Sequence, residues 1–186
     1  MRTGIVLAGG KASRVGKNKL LMHIDDKPVI FHVIDTMRDY VDNVVVVVGH
    51  YAEELTTALA SKNVTIVINT AYDRGMFSSV LAGLPHAQGD VIMLPGDMPL
   101  IAPTTYEALL RAEGNIRVPS HQGRRGHPIF LAETHAARLL EEPVESNVKA
   151  FRNRHPFTTV PVEDEGILVD FDTRDDFKHH AVKERD

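Results

Sequence analysis

Positions 44–48 are five consecutive valines. β-Branched side chains are stiff about χ1 and favour extended backbone. A strand with no polar residue on either face needs apolar cover on both sides, as in a sheet held between two helix layers. The rest of the chain agrees with that demand. Short β-branched runs alternate with amphipathic stretches, the pattern of an α/β fold with a mostly parallel central sheet. Further strands are expected at 3–8, 64–68, 91–94, 116–118, 129–131, 157–162 and 167–170. Val29, Ile30, Val33, Ile34, Met37, Tyr40 and Val41 recur at three- and four-residue steps and predict a helix with Pro28 in its first turn. Helices are also expected at 52–61, at 78–86 with a serine cap, and at 103–112, 134–141 and 147–154, with a charged helix closing the chain. Segments 69–77 and 120–128 read as loops.

A length of 186 residues suits one domain. With 43% hydrophobic and 25% charged residues the chain has the composition of a soluble globular protein. A net charge of -4 argues against nucleic acid as the main partner. Charge distribution is more telling than the total. No acidic residue precedes Asp25, whereas Lys11, Arg14, Lys17 and Lys19 crowd one short stretch, a local anion site. Cysteine is absent, which excludes disulfides, thiolate metal sites and a cysteine nucleophile. The apolar run at 5–8 is too short for a signal-peptide core or a membrane span, so the expected compartment is the cytoplasm, with no membrane partner.

The chemistry starts at 7–19, Leu7-Ala8-Gly9-Gly10-Lys11-Ala12-Ser13-Arg14-Val15-Gly16-Lys17-Asn18-Lys19. A strand that ends in two glycines lets backbone pass close to a ligand and point its N–H groups inward. Arg14 and Lys19 supply the charge to clamp a triphosphate. The spacing is not that of a P-loop: five residues separate Gly10 from Gly16, and Lys17 is followed by Asn18. G-x-G-x-x-G is absent as well. The competing reading is a surface turn with solvated lysines. Asp97 stands just past the carboxyl end of a buried strand, in Pro95-Gly96-Asp97-Met98-Pro99, where a carboxylate can hold Mg²⁺ against phosphate oxygens or bond its own turn. Asp170-Phe171-Asp172-Thr173 is a second acidic element, placed where it could also cap a following helix. The ten histidines show no zinc spacing, and Ser13 has no evident Asp–His partner.

Leu-Ala-Gly-Gly, then Ser-Arg, then Gly-x-x-Lys-Leu-Leu resembles the signature loop of sugar-nucleotide pyrophosphorylases and molybdenum-cofactor nucleotidyltransferases, in the nucleotide-diphospho-sugar transferase superfamily. Three segments resemble the branch of molybdenum cofactor cytidylyltransferases, beside the molybdopterin-guanine-dinucleotide synthases: Arg74-Gly75-Met76-Phe77-Ser78-Ser79-Val80, Asp97-Met98-Pro99-Leu100 and Gly126-His127-Pro128-Ile129-Phe130. The resemblance implies a three-layer, Rossmann-like, type-A glycosyltransferase-like fold. It implies Arg14, Lys19 and Asp97 as catalytic residues. It places the nucleotide on Leu7, Ala8, Gly9, Gly10, Ser13, Arg14, Lys19, Asn69, Ser78 and Ser79, and the acceptor on Gly126, His127 and Pro128. Mg²⁺ is implied on Asp97 and Asp172, with Asp170 the alternative to Asp172.

The expected organisation is a single domain over 1–186, with a nucleotide half to residue 100 and an acceptor half over 101–186. The implied reaction moves a nucleoside monophosphate, from CTP or alternatively GTP, to a small phosphorylated acceptor such as molybdopterin, releasing pyrophosphate. A sugar phosphate or corrinoid phosphate is the rival acceptor, and a non-catalytic nucleotide-binding module is the rival from another class. A molybdoenzyme or cofactor-insertion protein is the implied macromolecular partner.

Overall fold

The computed structural model describes residues 1–10, 18–172 and 176. In chain order they form β1 (Arg2–Ala8), β2 (His23–Ile24), β3 (Lys27–Pro28), α1 (Val29–Arg38), β4 (Asn43–Val48), α2 (Ala52–Leu59) and β5 (Thr65–Ile68). There follow α3 (Met76–Gly83), β6 (Asp90–Pro95), α4 (Pro103–Arg111), β7 (Ile116–His121), β8 (Arg124–Arg125), β9 (Ile129–Leu131), α5 (Glu133–Leu139), α6 (Val148–Asn153) and β10 (Thr158–Pro161). β2 and β3 pair only with each other, and the main sheet runs β10-β7-β9-β6-β1-β4-β5, with β8 on the edge of β7.

The valine run behaves as its composition requires. Val44, Val46 and Val48 enter the core with Val33, Ile34 and Leu55, while Val45 and Val47 enter a second core with Phe77 and Val80. All five valines are at most 3% exposed. Two helix layers therefore cover one α/β sheet. It is mostly parallel: β1 pairs parallel with β4 and β6, β4 with β5, and β7 with β10. The exceptions are β9, antiparallel to both β6 and β7, and the short edge strand β8, antiparallel to β7.

Two expectations fail in the later half. Segment 167–170 is not a strand; Glu165–Leu168 is a 3₁₀ turn. Its cause is Asp164, whose carboxylate accepts from Gly166 N at 2.9 Å, from Ala102 N at 2.9 Å and from Thr105 Oγ1 at 2.6 Å. Segment 120–128 is not a plain loop. Ser120 pairs with Arg125 and His121 with Arg124, and the turn is made by Gln122 and Gly123, both at positive φ. Two consecutive positive φ values suit the tight hairpin turns that match strand twist. The helix expected at 78–86 also starts earlier, at Met76. Its N-cap is Gly75 with no side-chain cap, and Ser78 lies inside the first turn.

Candidate active site

Chain order reverses across the β1–β6 pair: β4 and β5 lie on one side of β1, β6 on the other. The carboxyl ends of open α/β sheets at such a reversal are where ligands bind. The register places Leu7 beside both Val47 and Pro95, so the segments after the three strands leave the sheet together. Their backbones touch. A Cβ on Gly9 would stand 2.6 Å from Ser79 Oγ, and one on Gly49 would stand 2.6 Å from the Gly9 carbonyl oxygen. Only glycine permits that approach.

Lys19 begins a 3₁₀ turn whose N-cap is Asn18, the side-chain oxygen accepting from Leu20 N at 3.3 Å. Its ammonium donates to Asp97 Oδ2 at 2.5 Å and to Asp172 Oδ1. Asp97 stands two residues past the end of β6, after Gly96. Asp172 is delivered by backbone bonds: Phe171 N donates to Asp97 O at 2.9 Å, and His127 N donates to Ile167 O at 3.0 Å. Burial alone would depress Lys19, but the bonds to Asp172 and Asp97, with their charges, outweigh it and hold its pKa above the ordinary lysine value. Burial raises the Asp170 carboxyl; a bond to its own backbone opposes this, and the charges of Asp172 and Asp97 add to the rise. Burial likewise lowers His127, offset only in part by the charge of Asp97, which keeps the imidazole neutral near pH 7.

Two cavities meet here. The smaller, about 460 Å³, is lined by Leu7, Ala8, Gly9, Gly10, Lys19, Ser79 and Asp172, among others. The larger, about 730 Å³, is lined by Gly126, His127, Arg124, Arg125, Lys149 and Arg152, among others. Met76, Pro95, Asp97 and Asp170 line both, so the carboxylates of Asp97 and Asp170 stand at the junction. Among the described residues, four buried side-chain polar atoms lack a hydrogen-bond partner. Three of them, Asn18 Nδ2, Asp97 Oδ1 and His127 Nδ1, belong to residues that line these cavities. Buried polar groups are normally satisfied. Their concentration here marks places for ligand atoms.

Not every expected residue lines a cavity. Asn69 and Ser78 line neither cavity. Asn69 Nδ2 donates to Ser78 Oγ at 2.9 Å and to Ser79 Oγ at 3.0 Å, a buried brace behind Ser79. Pro128 is buried and lines neither cavity, and it is joined to His127 by a cis peptide bond. Gly126 packs so tightly on the Ile167 carbonyl that a Cβ would overlap it. Ser13 and Arg14 lie outside the described residues, as do Lys11, Lys17, Thr173 and most of the expected closing helix. Asp170 and Asp172, from the later half of the chain, line the smaller cavity.

Tyr51 and Tyr72 line the smaller cavity and Lys149 and Arg152 the larger, none of them expected from the sequence. Lys149 and Arg152 are three apart on α6, a spacing that shares one helix face. That signal was present, but it is also the signal of any solvated helix surface. No helix among the described residues is long and apolar enough to cross a membrane.

The family model described as MobA-like NTP transferase domain matches residues 4–159. The chain is 29% identical over 177 residues to the molybdenum cofactor cytidylyltransferase of Escherichia coli strain K12, covering 93% of this chain and 92% of that protein. It superposes on Rv0371c of Mycobacterium tuberculosis H37Rv with TM-score 0.84 and 24% identity, covering 97% of each chain. It superposes on the complex of that protein with manganese with TM-score 0.79 and 24% identity, again over 97% of each.

Proposed function

Since the chain belongs to the MobA-like NTP transferase family and is a nucleotidyltransferase, we propose that it transfers CMP from CTP to the phosphate of a molybdopterin-type acceptor, releasing pyrophosphate. In this reading the smaller cavity takes the nucleotide and the larger takes the acceptor. One observation carries it: two cavities share a wall at Asp97 and Asp170, so two ligands can meet across that wall. CTP and the acceptor are supported by similarity to the Escherichia coli cytidylyltransferase over nearly its whole length.

Asp97 and Asp172 suit a hard divalent cation such as Mg²⁺. Both carboxylates already converge on one positive charge, Lys19 Nζ, and Asp97 Oδ1 is buried without a partner. Among the described residues no three His, Asp or Glu side chains form a metal-holding group. That fits a cation that takes its other ligands from phosphate and water. A structurally similar protein has been solved with manganese. Bound there, such a cation supplies neutralisation of phosphate charge.

The chain's own groups do the rest. Backbone at Gly9 and Gly10 approaches the triphosphate without a side chain in the way, and Lys19, with Arg14, neutralises its oxygens. Ser79, braced by Asn69, offers a hydroxyl to the nucleotide. The acceptor phosphate is already ionised near pH 7, so no side chain has to take a proton. Neutral His127 hydrogen-bonds the acceptor. One phosphate oxygen forms a bond to the α-phosphorus as the bond to the β-phosphate bridging oxygen breaks, and pyrophosphate leaves with that electron pair. Catalysis is then positioning and charge neutralisation.

The test is a competition in which CTP, GTP and UTP are each offered with reduced molybdopterin or a hexose phosphate, reading pyrophosphate release. CTP with molybdopterin is expected to turn over fastest. Faster turnover with a hexose phosphate would overturn the acceptor, and preference for GTP would overturn the base.

A further inference from the structure

The larger cavity has two poles of opposite sign. Its described acidic residues, Asp97 and Asp170, are on the wall shared with the smaller cavity. Its basic residues, Arg124 and Arg125 of β8 and Lys149 and Arg152 of α6, line the larger cavity alone. Among the described residues none of these four is in an ion pair, although Arg154 on the same segment pairs with Glu142. Arg152 is buried. Two of its N–H groups are spent on Asn153 Oδ1, at 3.3 and 3.0 Å, which leaves others free. Phe157 holds the arginines together: the guanidinium carbons of Arg125 and Arg152 lie 5.1 and 5.0 Å from its ring centroid. Burial, and then the charge of Arg125, pushes Arg152 below the ordinary arginine value.

Like charges gathered in a concave wall without a counter-charge are unfavourable to each other, and a bound anion relieves them. The attacking phosphate does not account for this pole, because that phosphate has to reach the junction at Asp97. We propose that the acceptor carries a second anionic group, distinct from the phosphate that attacks, and that Arg125, Lys149 and Arg152 bind it. The inference rests on the larger cavity being the acceptor site. It makes the preferred substrate class a small molecule with two separated anionic groups, and it ranks a neutral molecule bearing one phosphate as a poor acceptor.

The experiment uses the full chain and two flexible probes, pentyl phosphate and pentane-1,5-diyl bisphosphate. Each is titrated by calorimetry with and without Mg²⁺ and the non-hydrolysable CTP analogue that carries a methylene between its α- and β-phosphorus atoms. The bisphosphate is expected to bind at least tenfold more tightly than the monophosphate. The difference should shrink to threefold or less in Lys149→Ala and in Arg152→Ala, and persist in Arg154→Ala, which removes a nearby charge that does not line the cavity. Lys149 is exposed, so its variant keeps the fold if Arg152→Ala does not. Arg152→Lys keeps the charge but loses the planar fork and should recover only part of the difference. Equal affinity for the two probes in the wild type, or a difference that survives Lys149→Ala, would overturn the proposal. Failure of the CTP analogue to bind would count against the nucleotide reading alone, since the probe difference is also measured without it.

Discussion

Asp97 is the residue on which both cavities depend. One carboxylate oxygen meets Lys19 and the other is buried without a partner, so the side chain is held in place yet keeps a free acceptor. Asp97→Asn preserves shape and removes the charge that the proposed cation needs. Turnover should fall roughly a hundredfold or more, the scale of one lost electrostatic contact in a preorganised site. The melting temperature should move by no more than a few degrees. Wild-type kinetics across a Mg²⁺ titration would make Asp97 a turn residue. Gly9 tests packing at the same place. In Gly9→Ala the new Cβ meets Ser79 Oγ at 2.6 Å but stands 3.7 Å from Ser79 Cβ. Overpacking of this kind costs about 1–3 kcal/mol. Adding Ser79→Ala removes the clashing oxygen, so denaturant titration of the double variant should recover at least half of the loss.

Elements differ in how far their own residues determine them. Strand β4 was legible because five β-branched residues in a row leave no other comfortable conformation, and the glycine-rich exit of β1 was legible from its local spacing. The 3₁₀ turn at 165–168 was not. Ile167, Leu168 and Val169 look like strand residues, and what curls them is an Asp164 carboxylate fixed by groups about sixty positions away in sequence. The basic pole was not legible as a unit, for the same reason: Phe157, which gathers Arg125 and Arg152, is distant in sequence from Arg125. Asp164→Ala should therefore cost about 3 kcal/mol, the scale of losing bonds to a charged group and stranding buried N–H donors. It should also lower turnover, because the segment it anchors carries Asp172. Denaturant midpoints and kcat check the two effects. A second inter-element tie is electrostatic. Asp35 of α1 pairs with Lys27 at 2.6 Å and Lys62 at 2.8 Å. Burial opposes ionisation of Asp35, but the bonds and charges of both lysines win and lower its pKa below the ordinary aspartate value. A carboxyl with a lowered folded pKa contributes stability above its unfolded pKa and loses it as pH falls through the folded value. Asp35→Asn should thus reduce stability at pH 7 by under about 1 kcal/mol, the range of partly exposed pairs. The gap between variant and wild type should close as pH drops below the wild-type pKa of Asp35, measured by urea unfolding at several pH values.

At the scale of the whole molecule, the sheet reversal between β1 and β6 creates one junction with a cavity on each side. Segments from both ends of the chain are needed to build it: 7–10 and 18–19 from the start, Asp97 from the middle, Asp170 and Asp172 from the end. With a nucleotide on one side and an acceptor on the other, as proposed above, the two ligands face each other across the shared wall at Asp97 and Asp170. The proposed reaction is a single displacement at the α-phosphorus. The stereochemical course at that atom is the most direct test. CTP made chiral at the α-phosphorus with sulfur is incubated with Mg²⁺, the acceptor and the protein, and the configuration of the product phosphorothioate is determined by ³¹P NMR. Direct in-line transfer predicts inversion of configuration. Retention would require two displacements through a nucleotidyl-enzyme intermediate and would contradict the account.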